Sequence, residues 1–357
     1  MATIKHQAAR AAFGAAADVT LKYLNKDPEK REKSLLKIVD LTESFAKDRF
    51  KPESYEAAKA MIRDKDSKWM QYVNRIFDEV SPNVIKKTAM NLGFEAMLSG
   101  TKIMHEMREK YQCNIPWLLL IDPTSACNLH CTGCWAAEYG HTMSLTYDEL
   151  DSIITQGKEL GIYLYMYTGG EPLVRKADII KLCEKHNDCA FHAFTNGTLV
   201  DDAFCEEMDR VGNLSLSISL EGYEEVNDGR RGQGVFDKVM KAMDTLKAHG
   251  QIFGTSICYT RANIDTVTSD EFLDMIIDKG CRYAWYFHYM PVGNEAAVEL
   301  LPTKEQREYM YHRIREIRGK EGGKQIFAFD FQNDGEFVGG CIAGGRHYFH
   351  INSNGDC

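Results

Sequence analysis

In Trp117-Leu118-Leu119-Leu120-Ile121-Asp122-Pro123-Thr124-Ser125-Ala126-Cys127-Asn128-Leu129-His130-Cys131-Thr132-Gly133-Cys134-Trp135 a short apolar run opens directly into three cysteines. The run is too short for a helix and suits a strand buried on both faces. The cysteines follow the spacing C-x3-C-x2-C, so three thiolates lie within eight residues of loop. Such a loop can wrap one compact metal centre. Biological [4Fe–4S] cubanes are usually held by four cysteines, one per iron. Three cysteines leave one iron open to a small-molecule ligand. The spacing alone also admits a zinc site in which His130 or His141 joins Cys127, Cys131 and Cys134. Structural zinc favours paired knuckles, however, and no second pair lies nearby.

Outward from this loop, the chain alternates apolar runs with helical patterns. Strands are expected over 117–121, 162–167, 190–194, 214–220, 253–259 and 282–288. Helices are expected over 146–160, 176–185, 202–211, 236–248, 268–279 and 303–317. Thr146-Tyr147-Asp148-Glu149 is a capping-box signature, and Thr268-Ser269-Asp270-Glu271 opens another capped helix. Six strand–helix repeats predict an α/β fold with a parallel sheet, helices outside and the chemistry on loops at the carboxyl ends of the strands. After Lys320 the rhythm breaks into glycine-rich turns and short strands. Residues 1–112 read as helical, broken at Asp27-Pro28, Lys51-Pro52 and Ser81-Pro82. They carry no metal-ligand cluster and no phosphate loop. A cap or docking domain is the plainest expectation. A gating or membrane-surface element is the sharper one, because residues 84–104 are rich in apolar side chains and hold Lys86, Lys87 and Lys102.

Composition narrows the class. The 357 residues hold 43 Lys plus Arg against 52 Asp plus Glu, a net charge of −9, with 44% apolar and 27% charged residues. This is a soluble globular mix, large enough to bury a core without disulfides. The acidic balance argues against a nucleic-acid partner. The longest wholly apolar run, residues 115–121, is far short of the about 20 needed to span a bilayer. The start, Met1-Ala2-Thr3-Ile4-Lys5-His6, has no signal-peptide pattern, so a cytoplasmic location is expected. Eleven cysteines cannot all pair, and a reducing compartment disfavours disulfides.

A second motif, Tyr167-Thr168-Gly169-Gly170-Glu171-Pro172, follows the second strand. Glycines there allow close backbone approach, and a carboxylate can accept a charge-assisted hydrogen bond from an amine. The three-cysteine loop after the first strand and Gly-Gly-Glu-Pro after the second resemble the two leading signatures of the radical S-adenosylmethionine (SAM) superfamily. The resemblance implies a partial (β/α)6 TIM-like barrel over residues 113–320, with an N-terminal helical domain over 1–112. Cys127, Cys131 and Cys134 would hold a [4Fe–4S] cluster. Its fourth iron would bind the amino and carboxylate groups of SAM, and one electron would cleave the sulfonium to methionine and a 5′-deoxyadenosyl radical that abstracts a substrate hydrogen. Gly169, Gly170 and Glu171 would contact the methionine amino group. Asn196, in Thr195-Asn196-Gly197, would lie on the ribose side. Ser219, in Ser217-Ile218-Ser219-Leu220-Glu221-Gly222, would contact the cofactor. Arg231, in Asp228-Gly229-Arg230-Arg231-Gly232, would bind the methionine carboxylate. Many family members carry an aromatic residue before the third cysteine, near adenine. Here that position is Gly133, which leaves Tyr165, Tyr167 or Trp135 as candidates.

Gly340-Cys341-Ile342-Ala343-Gly344-Gly345 and Ile351-Asn352-Ser353-Asn354-Gly355-Asp356 resemble the start of a SPASM-type extension bearing auxiliary iron–sulfur clusters. Residues 321–357 are expected to be such an extension, incomplete or truncated. Cys341 is a candidate auxiliary ligand, whereas Cys357 matches the next ligand poorly. Cys113, Cys183, Cys189, Cys205, Cys258 and Cys281 read as core or surface thiols. Tyr289, Asn294 and Glu295, beyond the sixth strand, are candidates for substrate contact or radical quenching. The resemblance also implies a flavodoxin or ferredoxin as electron donor and sensitivity to oxygen. For the substrate, the long helical segment tilts the expectation towards a lipid, with carbon–carbon bond formation and peripheral membrane-surface contact. A SPASM-type peptide or protein maturase is the alternative. A non-catalytic iron–sulfur or zinc protein is the rival from another class.

Overall fold

The computed structural model describes residues 4–24, 28–45, 51–136, 140, 142–292, 296–319 and 323–357. Eight parallel strands form one curled sheet: β1 Leu118–Ile121, β2 Leu164–Tyr167, β3 Ala190–Thr195, β4 Leu214–Ser219, β5 Phe253–Tyr259, β6 Tyr283–His288, β7 Phe327–Asp330 and β8 Tyr348–Ile351. Their order is β7-β6-β5-β4-β3-β2-β1-β8. The first six are the strands read from the sequence, and this is a partial TIM-like barrel. The two extra strands enlarge it. β7 continues the repeat beside β6, and β8 returns to the far edge beside β1, with Leu118 opposite Tyr348. Two short apolar runs within residues 321–357, 327–330 and 348–351, thus pair with the two open edges of the sheet.

The helices lie on the convex face. In the barrel they are α7 Tyr147–Glu159, α8 Lys176–Lys185, α9 Asp202–Val211, α10 Glu224–Arg231, α11 Val235–Ala248, α12 Ile264–Val267, α13 Asp270–Asp278 and α14 Lys304–Arg318. Their caps follow from sequence. Thr146 accepts the Glu149 N–H while Glu149 accepts the Thr146 N–H, and Ser269 accepts the Phe272 N–H. Alternate strand residues face the helices, and Tyr165 OH donates to the Ile154 carbonyl of α7 at 2.9 Å. The opposite set faces the concave interior. There His192 of β3 lies between Ser215 and Ser217 of β4, 2.9 Å from each hydroxyl, and 6.1 Å from the Trp285 ring of β6. Phe331, beyond β7, and Tyr348 of β8 come within 6.4 Å, so the curl brings the two sheet edges towards each other.

Before the sheet come α1 Ile4–Leu24, α2 Pro28–Phe45, α3 Pro52–Arg63, α4 Lys68–Glu79 and α5 Pro82–Thr88. α5 runs through wider π-type turns over Ala89–Gly100 into α6 Thr101–Tyr111. Side chains from this region reach the amino ends of the strands and the carboxyl ends of the outer helices. Lys68 donates to the Ile317 carbonyl of α14 and Arg75 to that of Ile277 in α13, each at 2.7 Å. Asn83 donates to the Asp209 carbonyl of α9. Asn91, fully buried, donates to the Cys189 carbonyl at 2.7 Å, just before β3. Arg282, at the foot of β6, pairs with Glu79 at 2.7 Å. Last-turn carbonyls have no partner within their own helix, which is why donors gather there. These helices therefore sit under the barrel, at the end opposite the cysteine loop. Among the described residues, no helix is long and apolar enough to cross a membrane.

Candidate active site

The cysteine loop leaves the carboxyl end of β1 and is held from four sides. Asp122 N–H donates to the Ile351 carbonyl of β8 at 2.9 Å, and the Asp122 carboxylate takes Thr168 Oγ1 at 2.6 Å and faces His350 at 2.8 Å. Ser125 N–H donates to the Met143 carbonyl at 2.9 Å. The turn after β2 reaches across, with Gly170 N–H donating to Thr124 at 3.0 Å and Glu171 N–H to Ala126 at 2.8 Å. From β4's side, Thr132 N–H donates to the Arg230 carbonyl of α10 at 2.9 Å. Cys127, Cys131 and Cys134 are each half-buried. Leu129 N–H approaches Cys127 Sγ at 3.4 Å, and Arg231 Nη1 stands 4.0 Å from Cys131 Sγ. Burial pushes the Cys127 and Cys131 thiols up, and the Arg231 guanidinium pulls Cys131 back.

The structure gives Gly169, Gly170 and Glu171 a bracing role beside the expected one. A β-carbon on Gly170 would stand 2.3 Å from the Ala126 carbonyl oxygen, and one on Gly169 2.5 Å from that of Thr124. These glycines let the turn lie flat on the cysteine loop. Glu171 points inward and is 1% exposed. Its oxygens accept from Leu173 N–H at 2.9 Å, Thr195 Oγ1 at 2.6 Å and Asn196 N–H at 2.7 Å. Burial raises its pKa against the pull of those bonds. Both Glu171 oxygens are thus engaged within the protein. The carbonyls of Gly169 and Gly170 accept no hydrogen bond from the described backbone outside helices and strands.

The remaining expected residues fall around the same end of the barrel. Asn196 Nδ2 donates to Asn128 of the cysteine loop at 2.8 Å, while its oxygen takes the Thr198 N–H and hydroxyl. Ser219 ends β4, half-buried and opposite Ser256 of β5. Arg231 closes α10 and pairs through Nε with Glu221 at 3.1 Å. Trp135 is 42% exposed and edge-on to His350. Tyr165 and Tyr167 are ruled out as adenine contacts. Both are fully buried on the helix-facing side, and Tyr167 lies parallel to Phe191 at 5.9 Å. Tyr289 is 2% exposed and packs on the cysteine loop, and a β-carbon at Gly133 would meet its hydroxyl at 2.7 Å. Gly133 also has φ +65°, open to glycine at little cost. The missing aromatic of the loop is thus matched by one arriving from beyond β6. Asn294, Glu295 and His141 lie outside the described residues. Cys341 and Cys357 are exposed.

Sequence reasoning missed Glu221, Asn128 and Thr195. All three sit inside or beside quoted motifs, but nothing in the sequence tells which polar side chain turns inward. Among the described residues, no three His, Cys, Asp or Glu side chains gather closely enough to hold a single metal ion. A cubane places each thiolate on a different iron and does not need that convergence. Three half-buried thiols on one loop, with a guanidinium beside one of them, fit the cluster's donor set better than a mononuclear zinc site.

Comparison with known proteins agrees with this geometry. The radical SAM superfamily matches residues 121–277. The Fe-coproporphyrin III synthase of Methanosarcina barkeri is 25% identical over 225 residues, covering 60% of this chain and 56% of its own length. The mycofactocin maturase MftC of Mycolicibacterium smegmatis is 28% identical over 203 residues, covering 55% of this chain and 51% of its own. The chain thus spans a little over half the length of these curated relatives. In fold, it resembles SuiB of Streptococcus suis, solved with its precursor peptide SuiA, with a TM-score of 0.57 and 19% identity over 72% of this chain and 63% of SuiB. From the end of β1 to α13, residues 121–277 are thus a radical SAM domain, and the relatives named above are enzymes.

Proposed function

We propose that Cys127, Cys131 and Cys134 hold a [4Fe–4S] cluster at the upper end of the half-barrel, and that the enzyme uses SAM to remove a hydrogen atom from a peptide or protein substrate. The observation that carries this reading is the three-cysteine loop lying on the Gly169–Gly170 turn, with Arg231 4.0 Å from Cys131. Held by Cys127, Cys131 and Cys134, such a cluster would supply the electron for reductive cleavage of SAM to methionine and a 5′-deoxyadenosyl radical. The chain's own residues do the positioning. The Gly169 and Gly170 carbonyls present acceptors for the methionine amine, and Arg231 presents a cation for its carboxylate. Ser219 and Asn196 line the same end of the sheet. Phe194, Trp285, Phe287 and Phe329 line the concave interior, with ring separations of 4.5–5.9 Å, and shield the reaction from water.

A peptide substrate is favoured over a lipid for a structural reason. The lipid expectation leaned on the long helical segment 1–112; its apolar stretch 84–104 exposes Met97 and Leu98 but buries Val84, Met90, Ala96 and Met104, and it packs beneath the barrel, away from the cysteine loop. The likeness to the mycofactocin maturase MftC, and to SuiB, which was solved with its precursor peptide SuiA, supports the same choice. A flavodoxin or ferredoxin is the proposed electron donor, and exposed Cys341 is the proposed ligand of an auxiliary cluster. The test is anaerobic reconstitution with iron and sulfide, then dithionite and SAM. 5′-Deoxyadenosine formation is expected. An intact cluster that yields none refutes the reading. Stimulation by lipid vesicles and by no peptide would return the substrate to the lipid class.

A further inference from the structure

Glu221 lies just past β4, and its side chain is fully buried. Its Oε1 accepts from Arg230 Nη1 at 2.6 Å, from Arg231 Nε at 3.1 Å and from Arg231 Nη2 in a still shorter contact. Among the described residues, the ion pairs of both arginines end on this one oxygen. Oε2 is buried and has no hydrogen-bond partner there. Each arginine in turn touches the cysteine loop. Arg230 Nε donates to the Thr132 carbonyl at 3.3 Å, while its own carbonyl takes the Thr132 N–H. Arg231 aims Nη1 at Cys131 Sγ. The Glu221 backbone is itself fixed, since its N–H donates to Asn227 at 3.2 Å and its carbonyl accepts from Asn263 at 2.9 Å.

Two adjacent guanidiniums repel each other, and a largely buried cation is tolerated only when paired. Removing the carboxylate would release both, and with them the contacts that pin Thr132. We propose that Glu221 is a positioning residue: one buried carboxylate that locks Arg230 and Arg231 against the cysteine loop, shaping the loop before any metal arrives and keeping a positive charge beside Cys131. The charge half of this statement rests on the cluster reading above, whereas the loop half does not. Groups around metal ligands commonly orient them and tune the centre in this way.

Hydrogen exchange on the cluster-free full chain tests the loop half. In Glu221→Gln, peptides covering 127–134 should exchange about tenfold faster than in wild type, while β3 and β5 keep their protection. Glu221→Asp, which retains the charge, should recover part of the loss. Wild-type exchange in the loop, or equal loosening of the whole barrel, overturns the proposal. Arg230→Gln decides the matter if Glu221→Gln does not fold, because it removes the side-chain bond to the Thr132 carbonyl, keeps the backbone one and leaves Glu221 paired with Arg231. Unchanged loop exchange in that variant also overturns it. On reconstituted protein, the cluster midpoint potential of Glu221→Gln should be more negative than that of wild type, because the freed Arg231 no longer holds its positive charge beside Cys131. An unchanged or less negative potential overturns the charge half. A wild-type chain that takes up no iron and sulfide refutes the cluster reading instead, and leaves the exchange result standing.

Discussion

At the lower end of the half-barrel, Lys68, Arg75, Asn83 and Asn91 close helix ends and strand feet with direct bonds to backbone carbonyls. At the upper end, three thiols stay half-exposed, and two guanidiniums hang from one carboxylate oxygen. The lower end is made of many independent contacts, any one of which can fail at modest cost. The upper end is a chain of dependent ones, Glu221 to Arg230 and Arg231 to the loop, Gly170 to Thr124, Glu171 to Ala126, Asn196 to Asn128. Stability is thus expected to reside below and chemistry above, the usual division in barrels of this kind.

Four measurements can break or sharpen that contrast. The largest effect is expected from Cys131→Ala, in which iron per chain after reconstitution should fall to background and 5′-deoxyadenosine formation should vanish, while the fold measured by circular dichroism stays intact. Iron retained at the wild-type level would break the contrast. Gly170→Ala drives a methyl group into the Ala126 carbonyl and should cost about 3 kcal/mol in denaturant unfolding of the cluster-free protein, with poor iron uptake. Acid acts on the interior between the two ends. Burial lowers the His192 pKa from its ordinary 6.5 to about 3, so the unfolded chain binds a proton that the folded chain refuses. Stability from this residue is complete above about pH 6.5 and declines by about 1.4 kcal/mol per pH unit as pH falls towards 3. Denaturant midpoints between about pH 7 and 5 should show that slope, and His192→Gln should flatten it. The smallest effect is expected at the lower end. Asn91→Ala should destabilise the protein by about 1–2 kcal/mol and leave iron content unchanged. Iron loss in that variant would mean that the two ends are coupled.

Much of this molecule is legible from its sequence. Short apolar runs gave the six central strands to within a residue or two, and Thr146-x-x-Glu149 marked the start of α7 because the capping chemistry is local. The site motifs were legible because both sit where strands end. Three things were not. Tyr165 and Tyr167 lie in a strand covered on both faces, where alternation does not reveal which side is the interior. β8 joins the sheet through a partner distant in sequence, and four residues of modest hydrophobicity announce no pairing. The contact of Tyr289 with Gly133, and the inward turn of Glu221 and Glu171, depend on loops meeting in space. Read alone, Glu171 and Tyr289 suggest ligand contacts, and Glu221 is one more residue of a longer motif.

β8 has a consequence for the order in which the protein matures. Leu118 to Ile121 carry the cysteine loop, yet one edge of that strand stays unpaired until Tyr348 to Ile351 arrive. During synthesis the ribosome exposes the three thiols long before it delivers the residues that anchor Asp122. Metal loading is therefore best placed after translation of the whole barrel, and a nascent chain halted before residue 348 should be a poor acceptor for iron and sulfide.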